Sequence, residues 1–156
     1  KESKLGYSSK VKSSKFNYAL TFIIIFLSSC ESKPRDIKYG YDECVFCKMR
    51  VMDKQHAAEI VTVKGKVLIF DSIECMLKSI KEIDENEINF VLTNVYEEPS
   101  ILHNAFESTY IISVDILSPM GMNLTAFKSE DSAVNFVNNN SGEVYNWKEI
   151  SSLNLH

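Results

Sequence analysis

The sequence contains little glycine or proline, with only 5 and 3 of these residues in 156. This scarcity excludes collagen-like and low-complexity chains, and four cysteines are too few for a small protein held together by dense disulfides. The chain also lacks an excess of positive charge, because its net charge at pH 7 is −4. Such a chain is not expected to bind nucleic acid. With 45% hydrophobic and 24% charged residues, the composition is that of one folded domain.

Recognisable catalytic motifs are also missing. The sequence has no glycine-rich phosphate loop, no G-x-S-x-G element and no H-E-x-x-H element. Only three histidines are present, and general acid–base catalysis relies most often on this residue. We therefore expect the protein not to be an enzyme.

The first thirty residues have the pattern of a secretory signal. Residues 1–15 carry five lysines and one glutamate. The apolar stretch that follows, residues 16–27, has 12 residues, well short of the ~20 that a membrane-spanning helix needs. It leads into the tetrapeptide Leu-Ser-Ser-Cys, which ends at Cys30 and resembles a bacterial lipobox. We predict a lipoprotein signal peptide over residues 1–29 and lipidation of Cys30; the alternative is an ordinary N-terminal membrane anchor with an incidental cysteine.

Removal of this signal would leave an acidic, lipid-anchored protein. Because residues 1–29 hold a charge of +4, residues 30–156 carry −8, which favours cationic or metal partners over nucleic acid. Residues 30–38 are polar and contain Pro34, so we predict a lipidated flexible tether there and a folded domain over residues 39–156. These predictions place the protein in the bacterial cell envelope, anchored to a membrane by its lipid and facing the periplasm or the cell exterior.

Hydrophobic patterning predicts a hairpin, a helix and a strand in the first half of the domain. Residues 58–63 and 66–70 are rich in β-branched residues and flank a Lys-Gly turn, as in a hairpin. Asp71 is the expected N-cap of the helix, with Glu74 three residues later in a capping-box pattern. Residues 88–95 then return as a strand.

The second half loosely repeats this order. Residues 109–114 alternate in the manner of a strand, and residues 123–128 form a second strand. Ser129 is the expected N-cap of a helix, and a strand around Val144 closes the unit. The sequence thus predicts an α+β fold with two loosely repeated β-β-α-β units, antiparallel sheet and two helices.

Cysteine and methionine residues near the start of the domain carry the clearest chemical signal. Cys44 and Cys47 have C-x-x-C spacing, and Met49 adds a neutral thioether two residues later. Sulfur-rich sites select soft ions, so these donors favour Cu(I) over Ca²⁺, Mg²⁺ or Mn²⁺. Further soft donors lie elsewhere in the chain, namely Cys75, Met76, Met120, Met122 and His56.

Each of these residues also has an interpretation that involves no metal. Outside the cytoplasm, a C-x-x-C pair is equally compatible with a structural disulfide and less so with a redox-active one. Met76 lies on the apolar stripe of the helix and is expected in the core, with Cys75 beside it as a buried free thiol. His56 is expected on the surface or in a loop, and it is a further candidate ligand, as is Met122. Met120 lies between a proline and a glycine, in a turn that is poorly placed for core burial.

The order of these motifs resembles the NosL family, whose members are lipoproteins that accompany nitrous oxide reductase and are similar in role to copper chaperones. The resemblance covers residues 39–150, nearly all of the domain. It is carried by Tyr-Gly-Tyr-Asp-Glu-Cys-Val-Phe-Cys-Lys-Met at 39–49, Ala-Ala-Glu at 57–59, Phe-Asp at 70–71, Cys-Met at 75–76 and Pro-Met-Gly at 119–121.

The resemblance implies two β-β-α-β units and Cu(I) bound by Cys47, Met49 and Met120. Cys44 matches a cysteine that is often found ahead of the family's Cys-Gly-Met signature. The glycine of that signature is Lys48 in this chain. Because lysine disfavours φ > 0, this departure bears on the loop geometry, and a nearby ammonium group would favour the thiolate forms of the cysteines.

These observations lead to the hypothesis of a membrane-tethered Cu(I)-binding protein with a NosL-like copper-binding domain over residues 39–156. It would act as a copper chaperone that delivers Cu(I) to an extracytoplasmic copper enzyme, such as nitrous oxide reductase, or to its assembly machinery. Cys44 would be a fourth donor or a redox partner of Cys47. The alternatives are a thiol–disulfide oxidoreductase that uses Cys44 and Cys47, and a lipoprotein whose C-x-x-C pair is a structural disulfide.

Overall fold

Two antiparallel sheets and three α-helices make up the part of the chain that the structure describes. The structure is a computed structural model and describes residues 32–153. The strands are β1 (Ala58–Thr62), β2 (Val67–Phe70), β3 (Ile88–Val95), β4 (Glu98–Asn104), β5 (Thr109–Ile112), β6 (Leu124–Phe127) and β7 (Glu143–Tyr145). The helices are α1 (Ile73–Ile80), α2 (Glu130–Asn139) and α3 (Trp147–Ser152), and a 3₁₀ turn spans Glu85–Glu87.

The two sheets share one topology. The first has the strand order β2-β1-β3-β4 and the second has the order β6-β5-β7. In each sheet the first strand of the unit lies in the centre, between its hairpin partner and the strand that returns after the helix, and all these pairs are antiparallel. The predicted α+β fold of two β-β-α-β units is therefore confirmed, with β4 and α3 as additions to the repeat.

Both units contribute to one main hydrophobic core. Side chains of the first unit, such as Ile60, Phe70 and Met76, belong to the same buried cluster as Tyr110 and Ile150 from the second half. The predicted core position of Met76 is confirmed by its complete burial. Burial of side chains of this size stabilises the fold by about 1.5–3 kcal/mol each, so the two units depend on each other for much of their stability.

Helix α1 begins one residue later than the sequence predicts. Its N-cap is Ser72, which has an extended backbone (φ −150°, ψ 160°). The side-chain oxygen of Ser72 accepts a hydrogen bond from the backbone N–H of Cys75 at 3.2 Å. The predicted cap, Asp71, is wrong, because its carboxylate points instead toward the cysteines of the preceding loop. Because Ser72 caps the helix, the side chain of Asp71 is free to contact the cysteines.

Two elements were not predicted from sequence. Strand β4 carries Pro99 near its start and Ser100 at φ 72°, features that the interior of a sheet excludes but an edge strand tolerates. Helix α3 begins with a capping box in which Asn146 accepts from the backbone of Glu149 and the Glu149 side chain accepts in return. The described part of the chain thus has three α-helices, where the sequence analysis predicted two.

The segment before residue 39 contacts the domain where it is described. Ile37 is buried against Val51 in a second apolar cluster. The guanidinium group of Arg35 donates two hydrogen bonds to Asp42, at 2.7 and 2.9 Å, and its backbone N–H donates to Glu59 at 3.2 Å. The predicted signal peptide and Cys30 lie outside the described residues, so the division of the chain at residues 29 and 38 stays a prediction. None of the helices within residues 32–153 has the length and apolarity to span a bilayer.

Candidate metal centre

A tight loop between the N-terminal segment and β1 positions the C-x-x-C pair. The backbone N–H of Cys44 donates to the carbonyl of Met49 at 2.8 Å, and the N–H of Lys48 donates back to the carbonyl of Cys44 at 3.0 Å. A further bond, from the N–H of Val45 to the carbonyl of Ile69 at 2.9 Å, attaches the loop to the end of β2. These bonds place both cysteines beside the junction between β2 and α1.

Lys48 adopts the left-handed conformation that glycine occupies most easily, with φ 65°. Its side chain folds back so that the ammonium group donates to the carbonyl of Val45 at 2.7 Å. The lysine therefore accepts the backbone geometry that the family's glycine would have, at a cost of about 1–2 kcal/mol of backbone strain.

The strand-to-helix junction supplies two more donors to the cysteine pair. Asp71 follows β2 directly, and Cys75 lies in the first turn of α1. The sulfur atoms of Cys44, Cys47 and Cys75 and a carboxylate oxygen of Asp71 all lie within 4.8 Å of one another. Cys44 and Cys75 are completely buried and Asp71 is 2% exposed, whereas Cys47 is half-buried. We call these four residues the Cys3Asp cluster.

All three cysteines of the cluster are free thiols. The Cys47 thiol donates to Oδ1 of Asp71 at 3.3 Å. The other carboxylate oxygen, Oδ2, is buried and has no hydrogen-bond partner among the described residues. Because an unsatisfied buried carboxylate oxygen is costly, this oxygen is a candidate ligand for a cation.

Hydrogen bonds and burial shift the pKa values of the three thiols in different directions. The Cys75 thiol, with the backbone N–H groups of Asp71 and Cys47, lowers the pKa of Cys44 to about 6. Burial, together with hydrogen bonds to Cys44 and Asp71, raises the pKa of Cys47 to about 11. The hydrogen bond to Cys44 and burial also raise the pKa of Cys75. Of the three thiols, only that of Cys44 has a lowered pKa, and the Lys48 ammonium is not among the groups that produce this shift.

The predicted thioether ligands differ in their burial. Met49 belongs to the cysteine loop and is 45% exposed. Met120 and Met122 are half-buried, and both pack against the main core, as Cys47 does. The structure thus puts Met49 at the surface and gives the two later methionines contacts in the same core cluster as Cys47.

A buried hydrogen bond attaches the turn that carries Met120 to helix α1. The hydroxyl group of Ser118 donates to the carboxylate of Glu74, in the first turn of α1. Ser118 also accepts the backbone N–H of Asn123 at 2.9 Å, which closes the turn. Since Glu74 is adjacent to Cys75, the turn from the second unit is attached to the helix that supplies one of the thiols.

His56 has a different role from that of a free ligand. It is a loop residue, as expected, but it is 1% exposed and does not lie on the surface. Its Nδ1 lies 2.9 Å from the carboxylate of Asp53 and its Nε2 lies 3.0 Å from the hydroxyl oxygen of Thr125 on β6. Both ring nitrogens are engaged, so His56 links the loop before β1 to the second sheet.

Sequence reasoning missed Asp71 as a member of the cluster and named Cys75 only as one of several further soft donors. It interpreted Asp71 as a helix cap and Cys75 as a buried free thiol beside the apolar stripe of the helix. The usable signal was their position, because both lie near the start of a helix that directly follows a strand. What sequence spacing could not show is that the C-x-x-C loop folds onto this junction.

The fold and the site define a class of protein, an α+β domain of two β-β-α-β units with a half-open cluster of free thiols. The NosL family model matches residues 37–154, and the chain belongs to the NosL family. Among solved structures, the crystal structure of the copper chaperone NosL from Shewanella denitrificans is similar, with a TM-score of 0.67 and 20% sequence identity. The match covers 78% of this chain and 98% of that one, and at this identity it shows the fold. No curated protein matches the chain.

Proposed function

We propose that this protein is a lipid-anchored Cu(I) carrier, not an enzyme, which delivers copper to an extracytoplasmic copper enzyme such as nitrous oxide reductase. Membership of the NosL family supports this proposal, as does the similar fold of a protein described as a copper chaperone. The observation that carries it is the cluster of three free thiols around one buried carboxylate, since thiolates favour Cu(I) over harder ions.

In this proposal Cys44 and Cys47 bind the ion together with the thioethers of Met49 and Met120. The Cys44 thiolate supplies negative charge, which its hydrogen bonds stabilise. Thioethers bring sulfur without further charge and cannot be protonated, so they add affinity for a monovalent soft ion at little electrostatic cost. Met49 reaches the ion from the loop, and Met120 from the turn anchored by Ser118.

The exposure of the site suits transfer of the ion to a partner. Cys47 is half-buried and Met49 is 45% exposed, whereas Cys44 is completely buried. A ligand from the receiving protein can therefore coordinate the ion on the side of Cys47 and Met49 before the bond between the ion and the Cys44 sulfur breaks. The same loop exposes Tyr41 at 85% and Met52 at 66%, which offers the partner an apolar contact next to the ion.

The distribution of charge within the cluster disfavours the oxidoreductase alternative. A thiol that attacks disulfides must be accessible and must have a low pKa. In this cluster the pKa of the buried Cys44 is lowered, whereas that of the accessible Cys47 is raised to about 11. The structural disulfide alternative requires a bond between Cys44 and Cys47, which are free cysteines in this structure.

A competition titration tests the proposal directly. The reduced full-length protein is titrated anaerobically with Cu(I) against a chromophoric Cu(I) chelator, and one equivalent is expected to bind. Cys47→Ser and Met120→Leu should each weaken binding at least about tenfold, because each removes a soft donor. Met49→Leu should also weaken it, whereas Met52→Leu, in the same exposed loop, is the matched control and should not. Wild-type affinity in both Cys47→Ser and Met120→Leu would refute the assignment of these ligands.

A further inference from the structure

The segment that follows the predicted lipidation site is bound to the folded domain. The side-chain amide of Asn89 donates to the carbonyl of Ser32 at 3.5 Å and to its hydroxyl oxygen. Ser32 also lies next to Gly65, in the turn between β1 and β2. Farther along the segment, the backbone N–H of Arg35 donates to the carboxylate of Glu59 at 3.2 Å. The predicted tether is therefore held against the first sheet from Ser32 onward.

These contacts determine which end of the domain the acyl chains of Cys30 would approach. Only Glu31 separates Cys30 from Ser32, and two residue steps of extended chain span at most about 7 Å. Ser32 lies at the end of the first sheet where β2 begins, whereas Asp71 of the Cys3Asp cluster directly follows the other end of β2. At about 3.3 Å per residue, the two ends are about 15–20 Å apart.

A groove of about 450 Å³ opens beside Ser32. Asn89, which binds Ser32, also lines this groove, together with Ile88, Phe106 and Trp147. The Phe106 side chain is 54% exposed, and its ring meets that of Trp147 edge-on with the ring centroids 4.9 Å apart. Tryptophan on an apolar surface is typical of the boundary between lipid headgroups and acyl chains.

We infer that this groove rests on the membrane that holds the lipid anchor, and that the Cys3Asp cluster faces away from the bilayer. The inference depends on the proposed lipid anchor and adds an orientation to it. Because the groove shares Asn89 with the bound segment, acyl chains on Cys30 bring the groove to the membrane surface. The exposed side chains of the cysteine loop, such as Tyr41 and Met52, would then meet a partner in the aqueous compartment.

The ionic groups at this end of the domain offset one another. The Lys64 ammonium group is paired with the carboxylate of Glu87 at 2.6 Å, and the groove itself is lined by one lysine and one glutamate, Lys81 and Glu85. Contact with the bilayer therefore depends on the apolar side chains of the groove more than on attraction to anionic headgroups.

Trp147 makes the orientation measurable, because it is the only tryptophan in the chain. The full-length lipidated protein is reconstituted into phosphatidylcholine vesicles that contain brominated phosphatidylcholine, whose bromine atoms quench indole fluorescence at short range. The matched control combines Trp147→Phe with Phe46→Trp, which moves the indole to a 45% exposed position between Cys44 and Cys47. Quenching should be at least about twofold stronger in the wild type, because the two ends of β2 are separated by at least about half of a 30 Å hydrocarbon layer.

Three results would overturn the inference, and they differ in what else they contradict. Wild-type protein that fails to float with the vesicles would refute the lipid anchor as well. Vesicle-bound wild-type protein whose Trp147 is not quenched would refute the orientation alone, and this result does not depend on how the variant folds. Quenching of the variant that equals or exceeds that of the wild type would also refute the orientation. A Cu(I) titration of the same protein reports separately on the carrier function.

Discussion

Lys48 has a backbone conformation that residues other than glycine rarely adopt. It is one of three non-glycine residues in the described part of the chain with positive φ, at 65°, and it lies between Cys47 and Met49. The surrounding bonds, from its N–H to the carbonyl of Cys44 and from its ammonium group to Val45, hold it there. The loop that carries Cys44 and Cys47 thus stores a small amount of strain next to the proposed ligands.

Replacing this lysine by glycine should relieve the strain. We expect Lys48→Gly to raise the free energy of unfolding by about 0.5–1 kcal/mol, because about 1–2 kcal/mol of strain relief exceeds the entropic cost of glycine, about 0.5–1 kcal/mol. Urea denaturation measures the change. The control is Lys38→Gly, an exposed lysine outside the positive-φ region, which should lose stability. A loss in Lys48→Gly as large as that of the control would show that the loop is unstrained.

Strand β1 is unusual because both of its faces are covered. Ala58 and Ile60 face the main core. On the other face Glu59 pairs with Ile69 across the hairpin, and Ile69 packs under the N-terminal segment with Ile37. Glu59 is completely buried, and burial raises its pKa to about 7. A carboxyl group at the centre of a sheet therefore links the stability of this strand to pH.

The sign of this linkage follows from the direction of the shift. The pKa of Glu59 is near 4.5 when unfolded and about 7 when folded, so between these values the native state binds more protons. Stability should therefore fall as pH rises from 5 to 7, by up to about 1.4 kcal/mol per pH unit. Glu59→Gln removes this contribution, so its stability relative to wild type should improve at pH 8 compared with pH 5 in urea denaturation. An identical difference at both pH values would contradict the shift.

Elements with a regular hydrophobic period were predictable, and those shaped by tertiary contacts were not. The hairpin of β1 and β2, helix α1 and the Ser129 cap of α2 follow from local patterns. Strand β4 does not follow from a local pattern, because Pro99 and the charged residues near it are unusual in strands. This strand forms only at the edge of an existing sheet. The start of α1 was misplaced because Asp71 is attracted to the cysteines, which local capping rules ignore.

The candidate site also has a part that was predictable from sequence and a part that was not. The C-x-x-C pair and Met49 are close in sequence, so spacing alone was enough to identify them. Cys75 joins them only because the loop is bonded to the end of β2, through Val45 and Ile69. A contact of this kind between residues more than twenty positions apart leaves no periodic signal in a single sequence.

The whole molecule is predicted to be tethered to a membrane through Cys30, which lies outside the described residues. We expect Cys30→Ala to move the protein from the membrane fraction to the soluble fraction and to abolish incorporation of labelled fatty acid, since acyl chains would provide the anchor. The Cu(I) affinity of the domain should not change. Cys44→Ser is the matched control, because it also removes one cysteine but should leave the protein lipidated and membrane-bound. Continued lipidation of Cys30→Ala would rule out this anchor.

The gradient of exposure within the cluster has a consequence for kinetics. Cys44, Cys75 and Asp71 line the floor of the pocket, and Cys47 is its only member that reaches solvent. An ion held there would be approached from the side of Cys47, so its bonds to the buried members would be the last to exchange. The release of metal to a small chelator and its release to a docked protein then share the same last step. Their maximal rates should therefore converge, however different the two acceptors are in size.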